Sequence, residues 1–337
     1  MPHSTRQLLH GLALIALFAT SAARAETCPP LEPASVPRAT ITNGSVDAVV
    51  LLPDAQNGFY RGTRFDWSGV VWCLTYKGHH YFGEWNARSA NSITGPVEEF
   101  NGADGRTPLG YDQAKPGELF VKPGVGVLRR VDQENYRFNA VYPIVDSGKW
   151  TVRAEKRGVT FRHVLNSPLG IAYDYEKKLM LEPKEPVLVI QHQMKNTGKE
   201  PIDIQVYNHD FFVIDGTRTG PDMTLRFPFT PIADKPFQNG ARIEGNQIVY
   251  DRELADGQTA AGNITGFSDK ASDFRFVVEN TRTGVGVEQI GDRPITRIMF
   301  WSNPKTVCPE AYVHLVIPPG ETGRWSIRYR FFAREPV

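Results

Sequence analysis

Two short segments, about a hundred residues apart, hold residue types suited to moving protons. The first is Tyr207-Asn208-His209-Asp210-Phe211-Phe212. The second is Cys308-Pro309-Glu310-Ala311-Tyr312, followed by Pro318-Pro319-Gly320-Glu321. An imidazole with an ordinary pKa of about 6.5 holds or releases a proton near neutrality. A carboxylate that starts near about 4.3 becomes a better base when partial burial raises it. Phe211, Phe212 and Tyr312 flank the two groups and offer that burial. In one pocket, His209 and Glu310 make an acid and a base, each able to contribute on the order of 10²–10⁴-fold to a proton-transfer step. Their facing atoms are expected roughly 5–8 Å apart, which leaves room for a ligand ring hydrogen-bonded at both ends.

The elements that position them read as strands. Trp325, Ile327, Tyr329 and Phe331 alternate with Ser326, Arg328 and Arg330, the period of a half-buried strand. Val187-Leu188-Val189-Ile190 runs into alternating Gln191, His192, Gln193 and Met194, with His192 expected on the polar face. Further runs lie at 48–52, 70–76, 151–164, 202–214, 223–229, 274–279 and 295–301. Turn pairs such as Asn57-Gly58, Lys77-Gly78, Arg157-Gly158 and Pro319-Gly320 punctuate them. No amphipathic helix longer than about ten residues is evident, against a typical helix of about 11–12. Many strands joined by short turns predict an all-β sandwich or barrel. Asp210 then points away from His209 and reads as structural. Pro309 confines Glu310 to an edge strand or a bulge.

The chain has 337 residues and a net charge of +1. No basic run favours nucleic acid and no charge block favours a membrane surface. Residues 1–25 read as a signal peptide: Arg6, then an apolar stretch from Leu8 to Ala19, then Ala23-Arg24-Ala25 as a small-x-small processing site. Residues 26–337 read as one domain, exported to a bacterial periplasm or secreted, with no membrane attachment after processing. A Gly-, Pro-, Ser- and Asn-rich stretch at 86–117 reads as a long loop excursion over a binding face. Cys28, Cys73 and Cys308 permit one disulfide and one free thiol, and the pairing stays open at this point. His79-His80 with Glu84 lacks a zinc spacing, and neighbouring strand histidines face opposite ways, so no metal site is expected. Gly124-Val125-Gly126 is a lone Gly-x-Gly, with no third glycine and no helix after it, so no nucleotide site is expected either.

With strands placed, Asn208-His209-Asp210-Phe211-Phe212 resembles the Asn-His-x-Tyr-Phe motif of aldose 1-epimerases (galactose mutarotases). Cys308-Pro309-Glu310-Ala311, Pro319-Gly320-Glu321 and the aromatic closing strand resemble that family's Cys-Leu-Glu segment, turn and last strand. The likeness is clearest from Leu188 to Phe332. It implies a large antiparallel β-supersandwich, a carbohydrate ligand, small or oligomeric, and no cofactor. It also implies that His209 is the general acid on a sugar's ring oxygen and Glu310 the base on its anomeric hydroxyl. The family's Asn-Arg-Ile and His-Gly-Gly segments are absent. Tyr60-Arg61-Gly62-Thr63-Arg64 and Gly78-His79-His80-Tyr81 stand there instead, which makes Arg64 and His80 the candidate sugar contacts. Trp85, beside the loop, is the candidate stacking platform, and Lys122 is expected to face the pocket. The resemblance also leaves room for a carbohydrate-binding protein without turnover. A lyase acting on acidic polysaccharide is a third reading, with Tyr60, Arg61 and Arg64 as its chemistry.

Overall fold

The computed structural model describes residues 28–334 apart from Arg88, so the proposed signal peptide at 1–25 lies outside the described residues. Among the described residues the only helix is the 3₁₀ turn Ala271–Asp273. Two antiparallel sheets carry most of the chain. The larger has ten strands, running in space from Ala241–Glu244 through Arg275–Asn280, Thr322–Ala333 and Val187–Asn196 to an outer strand, Lys149–Glu155. The smaller has six: Ile232–Ala233, Ala260–Thr265, Arg297–Asn303, Thr306–Ile317, Ile202–His209 and Val97–Gly102. The expected run at 151–164 is two strands, Lys149–Glu155 and Gly158–Asn166, folded back at the Arg157-Gly158 turn.

The alternation in the last strand predicts its burial. Trp325, Ile327, Tyr329 and Phe331 are buried, while Arg324 and Arg330 are exposed. Their partners come from the smaller sheet: Phe100 sits 5.6 Å from Tyr175 and 6.1 Å from Trp325, edge to face. Buried aromatics in this geometry add about 0.5–1.5 kcal/mol per pair beyond their area. Apolar inner faces of both sheets make one core, as a sandwich requires.

His192 corrects a sequence expectation. It shares its strand face with Met194 and Ile190, not with the glutamines, and is buried in a parallel stack 4.5 Å from Trp325. The stretch at 86–117 is corrected too. It contains Val97–Gly102, a wholly buried strand paired with Ile202–His209. Its sequence Val-Glu-Glu-Phe-Asn-Gly hid it, because two adjacent glutamates and an Asn-Gly break the apolar pattern. Both glutamates find cations elsewhere in the fold.

Among the segments before residue 145, those at 59–67, 111–120 and 136–142 cover the face of the six-stranded sheet that carries His209 and Glu310. They form a second apolar cluster that includes Phe65, Trp67, Tyr111, Phe120 and Tyr142. A disulfide joins Cys28 to Cys73 and ties the start of the described chain to the Val71–Tyr76 strand. Cys308 is the free, buried thiol. No helix of the described residues is long and apolar enough to cross a membrane.

Candidate active site

A cavity of about 790 Å³ lies between the outer face of the six-stranded sheet and the segments that cover it. Its floor is periodic. Glu99 and Asn101, Tyr207 and His209, Glu310 and Tyr312, and Arg297, Met299 and Trp301 all line it. Each set skips one residue, because alternate side chains of a strand share a face. Aromatic side chains from the covering segments, Tyr60, Phe65, Trp85, Tyr136 and Phe138, make the walls.

The ladder explains how His209 meets Glu310. Val206 is registered against Val313. Continuing that antiparallel register sets Tyr207 against Tyr312 and His209 against Glu310. The tyrosine rings accordingly stack at 4.2 Å. His209 Nε2 lies 3.1 Å from Glu310 Oε1, with both side chains 6% exposed. The expected gap of 5–8 Å is therefore not what the fold provides. Directly opposed residues have Cβ atoms only about 4.5–5.5 Å apart, so the pair is in contact and a ligand ring lies over it. Pro309 is registered against Phe300 on one side, and the ladder toward Ile202–His209 ends at Val206 and Val313 on the other. The missing N–H is thus accommodated at a locally one-sided strand.

Phe211 fixes the imidazole. The strand ends at His209, and Phe211 takes a left-handed backbone with φ +45°. That is a costly conformation for a bulky residue. Its N–H donates to the Cys308 Sγ at 3.1 Å. Its ring stacks on His209 at 3.7 Å on one side and on Trp85 at 4.6 Å on the other. His209 Nδ1 and Trp85 Nε1 are buried and have no hydrogen-bond partner among the described residues. Asp210 faces the sandwich core, as its alternation predicts. Tyr329 donates a hydrogen bond to its Oδ1 at 2.7 Å.

Electrostatics leaves the pair with one proton. Burial, followed by the nearby Arg64 charge, drives the His209 pKa well below its ordinary value. Burial pushes Glu310 up to about 8, against the pull of Arg64 and Arg297. Near neutrality the imidazole is neutral and the carboxyl keeps its proton. Beside them, Arg64 Nε donates to Glu99 Oε2 at 2.6 Å and its Nη2 to the Tyr207 hydroxyl at 2.9 Å. Tyr207 also donates to Glu99.

The remaining sequence candidates divide. Arg64 and Trp85 line the cavity. Lys122 does not: it is wholly buried one layer deeper, donating to Glu99 Oε1 at 3.1 Å and Asn101 Oδ1 at 2.7 Å. His80 is away from the cavity, its Nδ1 3.3 Å from the Cys73 sulfur and its N–H on Asp215. The Lys77-Gly78 turn before it pairs the short His79–His80 strand back onto Thr75 and Tyr76, and so turns it from the site. Tyr60 and Arg61 are occupied structurally. The Tyr60 hydroxyl accepts from the N–H groups of Arg64 and Phe65, and Arg61 donates to the Gly58 carbonyl. Burial raises the Tyr60 pKa, which makes it a poor base for lyase chemistry. Sequence reasoning missed Glu99, Tyr207 and Arg297. A signal for the tyrosine was present, because Tyr207 stands two residues before His209 and shares its strand face.

No protein-family model matches the chain, and neither does any curated protein. Solved structures do. The Slr1438 protein of Synechocystis sp. PCC 6803 is 12% identical with a TM-score of 0.56, over 91% of this chain and 99% of that one. The GalM/aldose epimerase homologue from C. elegans is 13% identical with a TM-score of 0.53, over 88% and 99%. The galactose mutarotase related enzyme from Lactobacillus acidophilus is 11% identical with a TM-score of 0.52, over 88% and 98%. The fold expectation is borne out: the chain is all-β, with large antiparallel sheets in the galactose mutarotase-like fold.

Proposed function

We propose that this protein is a carbohydrate-active isomerase of the aldose 1-epimerase type, with His209 and Glu310 as its acid–base pair. The observation that supports this reading is the contact of the two side chains on the floor of an aromatic-walled cavity, and the opposed pKa shifts leave the pair one titratable proton near neutrality. Opening a cyclic hemiacetal requires that count. One proton leaves the anomeric hydroxyl, another arrives on the ring oxygen, the bond from the anomeric carbon to the ring oxygen breaks and a carbonyl forms. The pair holds one proton before and one after. With His209 on the ring oxygen and Glu310 on the anomeric hydroxyl, the proton that burial leaves on Glu310 crosses to His209 as the sugar arrives. Arg64 and Arg297 stabilise the carboxylate left behind. Ring closure on the other face reverses each transfer.

The test is anomer interconversion, followed by NMR exchange or polarimetry over a panel of sugars. His209→Asn and Glu310→Gln should each slow it by about 10²–10⁴-fold. Equal rates in all three proteins would overturn the assignment. A second reading, sugar binding without turnover, is favoured by the closed contact, which leaves no ring-sized gap between the two groups. It requires unchanged affinity in both variants and no exchange in the wild type. For the rest of the chain we propose a processed leader at 1–25, a single domain over 26–337 and export. The Cys28–Cys73 disulfide supports an oxidising compartment. Determining the N-terminus of the exported protein tests this: Glu26 is expected, and retention of Met1 would overturn it.

A further inference from the structure

We propose that the cavity takes sugars bearing an anionic substituent, a carboxylate or a phosphate, held by Arg64 and Arg297 with Arg106 at the rim. This rests on reading the cavity as a sugar site and adds the class of sugar.

Among the described residues three guanidinium groups line the cavity, against two carboxylates, Glu99 and Glu310. Glu99 is opposed by two cations, since Lys122 reaches its Oε1 from behind while Arg64 holds its Oε2. One negative charge therefore answers two positive ones. Glu310 adds no net charge together with His209, because the pair holds one titratable proton whichever of the two carries it. Arg297 donates from Nε to Asn263, a neutral amide, at 3.2 Å and lies 4.8 Å over the Tyr312 ring. Its two Nη groups have no carboxylate partner among the described residues, nor does the exposed guanidinium of Arg106.

Geometry puts this excess where a ligand sits. Arg64 donates to Tyr207, Arg297 covers Tyr312, and the two tyrosines stack on each other beside the acid–base pair. A neutral sugar would cover partly desolvated guanidinium groups without answering their charge, which is costly. An anionic group answers it, and a planar fork matches carboxylate and phosphate oxygens two at a time.

The experiment is calorimetric titration with matched ligands at fixed ionic strength: glucose, glucuronate and glucose 6-phosphate, then the galactose series, with inorganic phosphate alone as control. At least one anionic sugar should bind about tenfold or more tightly than its neutral parent, the scale of one charge-assisted hydrogen bond. That ratio should fall with added salt and shrink in Arg297→Gln and, less, in Arg106→Gln, an exposed change that leaves packing alone. Preference for the uronate or for the phosphate ester identifies the substituent. Equal affinity for neutral and anionic sugars overturns the proposal, and so does inorganic phosphate binding as tightly as the sugar phosphate. Anomer exchange on the same samples separates the two claims. Exchange without anionic preference sinks this inference alone. Anionic preference without exchange sinks the isomerase alone, and no binding by any sugar sinks both.

Discussion

Glu98 and Glu99 are neighbours on one strand, both buried, and they end in opposite electrostatic states. Glu99 faces the cavity. Burial opposes its charge, but Arg64, Lys122 and the Tyr207 hydroxyl overcome that and hold it at about 2. Glu98 faces the core. Lys177 touches it, and Asn208 donates to its Oε1 at 3.0 Å, yet burial wins and its pKa is raised. The difference lies in how many cations serve each carboxylate. Lys177 also lies 3.5 Å from Asp66, which Ser68 engages from its side chain and N–H. Two carboxylates share one ammonium in the core, and burial raises the Glu98 pKa. One carboxylate holds two cations at the cavity, and they lower the Glu99 pKa despite its burial. Burial alone therefore does not set the charge of a buried acid. The number of opposite charges it is offered does.

Glu99→Gln tests this most severely. It leaves Arg64 and Lys122 without an anion, and breaking a buried pair from one side costs about 3–5 kcal/mol. Urea unfolding should show that loss, and a change under about 1 kcal/mol would break the comparison. The acid limb comes next. Glu99 has a depressed folded pKa, so its contribution is complete above about 4.5 and is lost as pH falls from there toward about 2. Urea midpoints of Glu99→Gln should be flatter than wild type over that window. Glu310 has the opposite sign. Its folded pKa is raised, so its contribution is complete below about 4.5 and is lost as pH rises through about 8. Wild type should lose stability relative to Glu310→Gln as pH climbs from 5 to 8, and parallel profiles would count against the protonated carboxyl. The smallest effect is expected at Glu98→Gln, whose loss in urea unfolding should fall below that of Glu99→Gln because Lys177 keeps Asp66 as an anion, and an equal loss would count against the comparison. With its pKa raised, the ionised form is worth less to the folded state here than at Glu99. The amide also gains acceptors, since Asn208 Oδ1 is without a partner and His192 Nε2 lies 3.4 Å from Glu98 Oε1.

Local pattern explains why part of the fold and site was legible in sequence. Alternation around Trp325 and around His209 is a property of neighbouring residues, and it gave the sandwich and the two faces of the Asn208-His209-Asp210 segment. Opposition of His209 to Glu310 belongs to strand register. The flanking motifs indicated a shared pocket, but not that the side chains would touch. The strand carrying Glu98 and Glu99 was hidden because its carboxylates are stabilised by Lys122, Lys177 and Arg64, contacts between residues distant in sequence. Lys122 and His80 were misplaced for a related reason. Their chemistry was right for a pocket, and only the fold shows one lying behind it and the other beside a disulfide.

The sulfur under Phe211 has a practical consequence. Cys308 is the free thiol left once Cys28 and Cys73 are joined, and burial pushes its pKa well above the ordinary value. A thiol reagent needs the exposed thiolate, so it can label this protein only when the turn at 210–212 lifts off the strand below. The labelling rate in native buffer, set against the rate in denaturant, thus measures how often the site floor opens. Any ligand that settles over His209 should slow that clock, which makes one native cysteine a binding assay that needs no knowledge of the reaction.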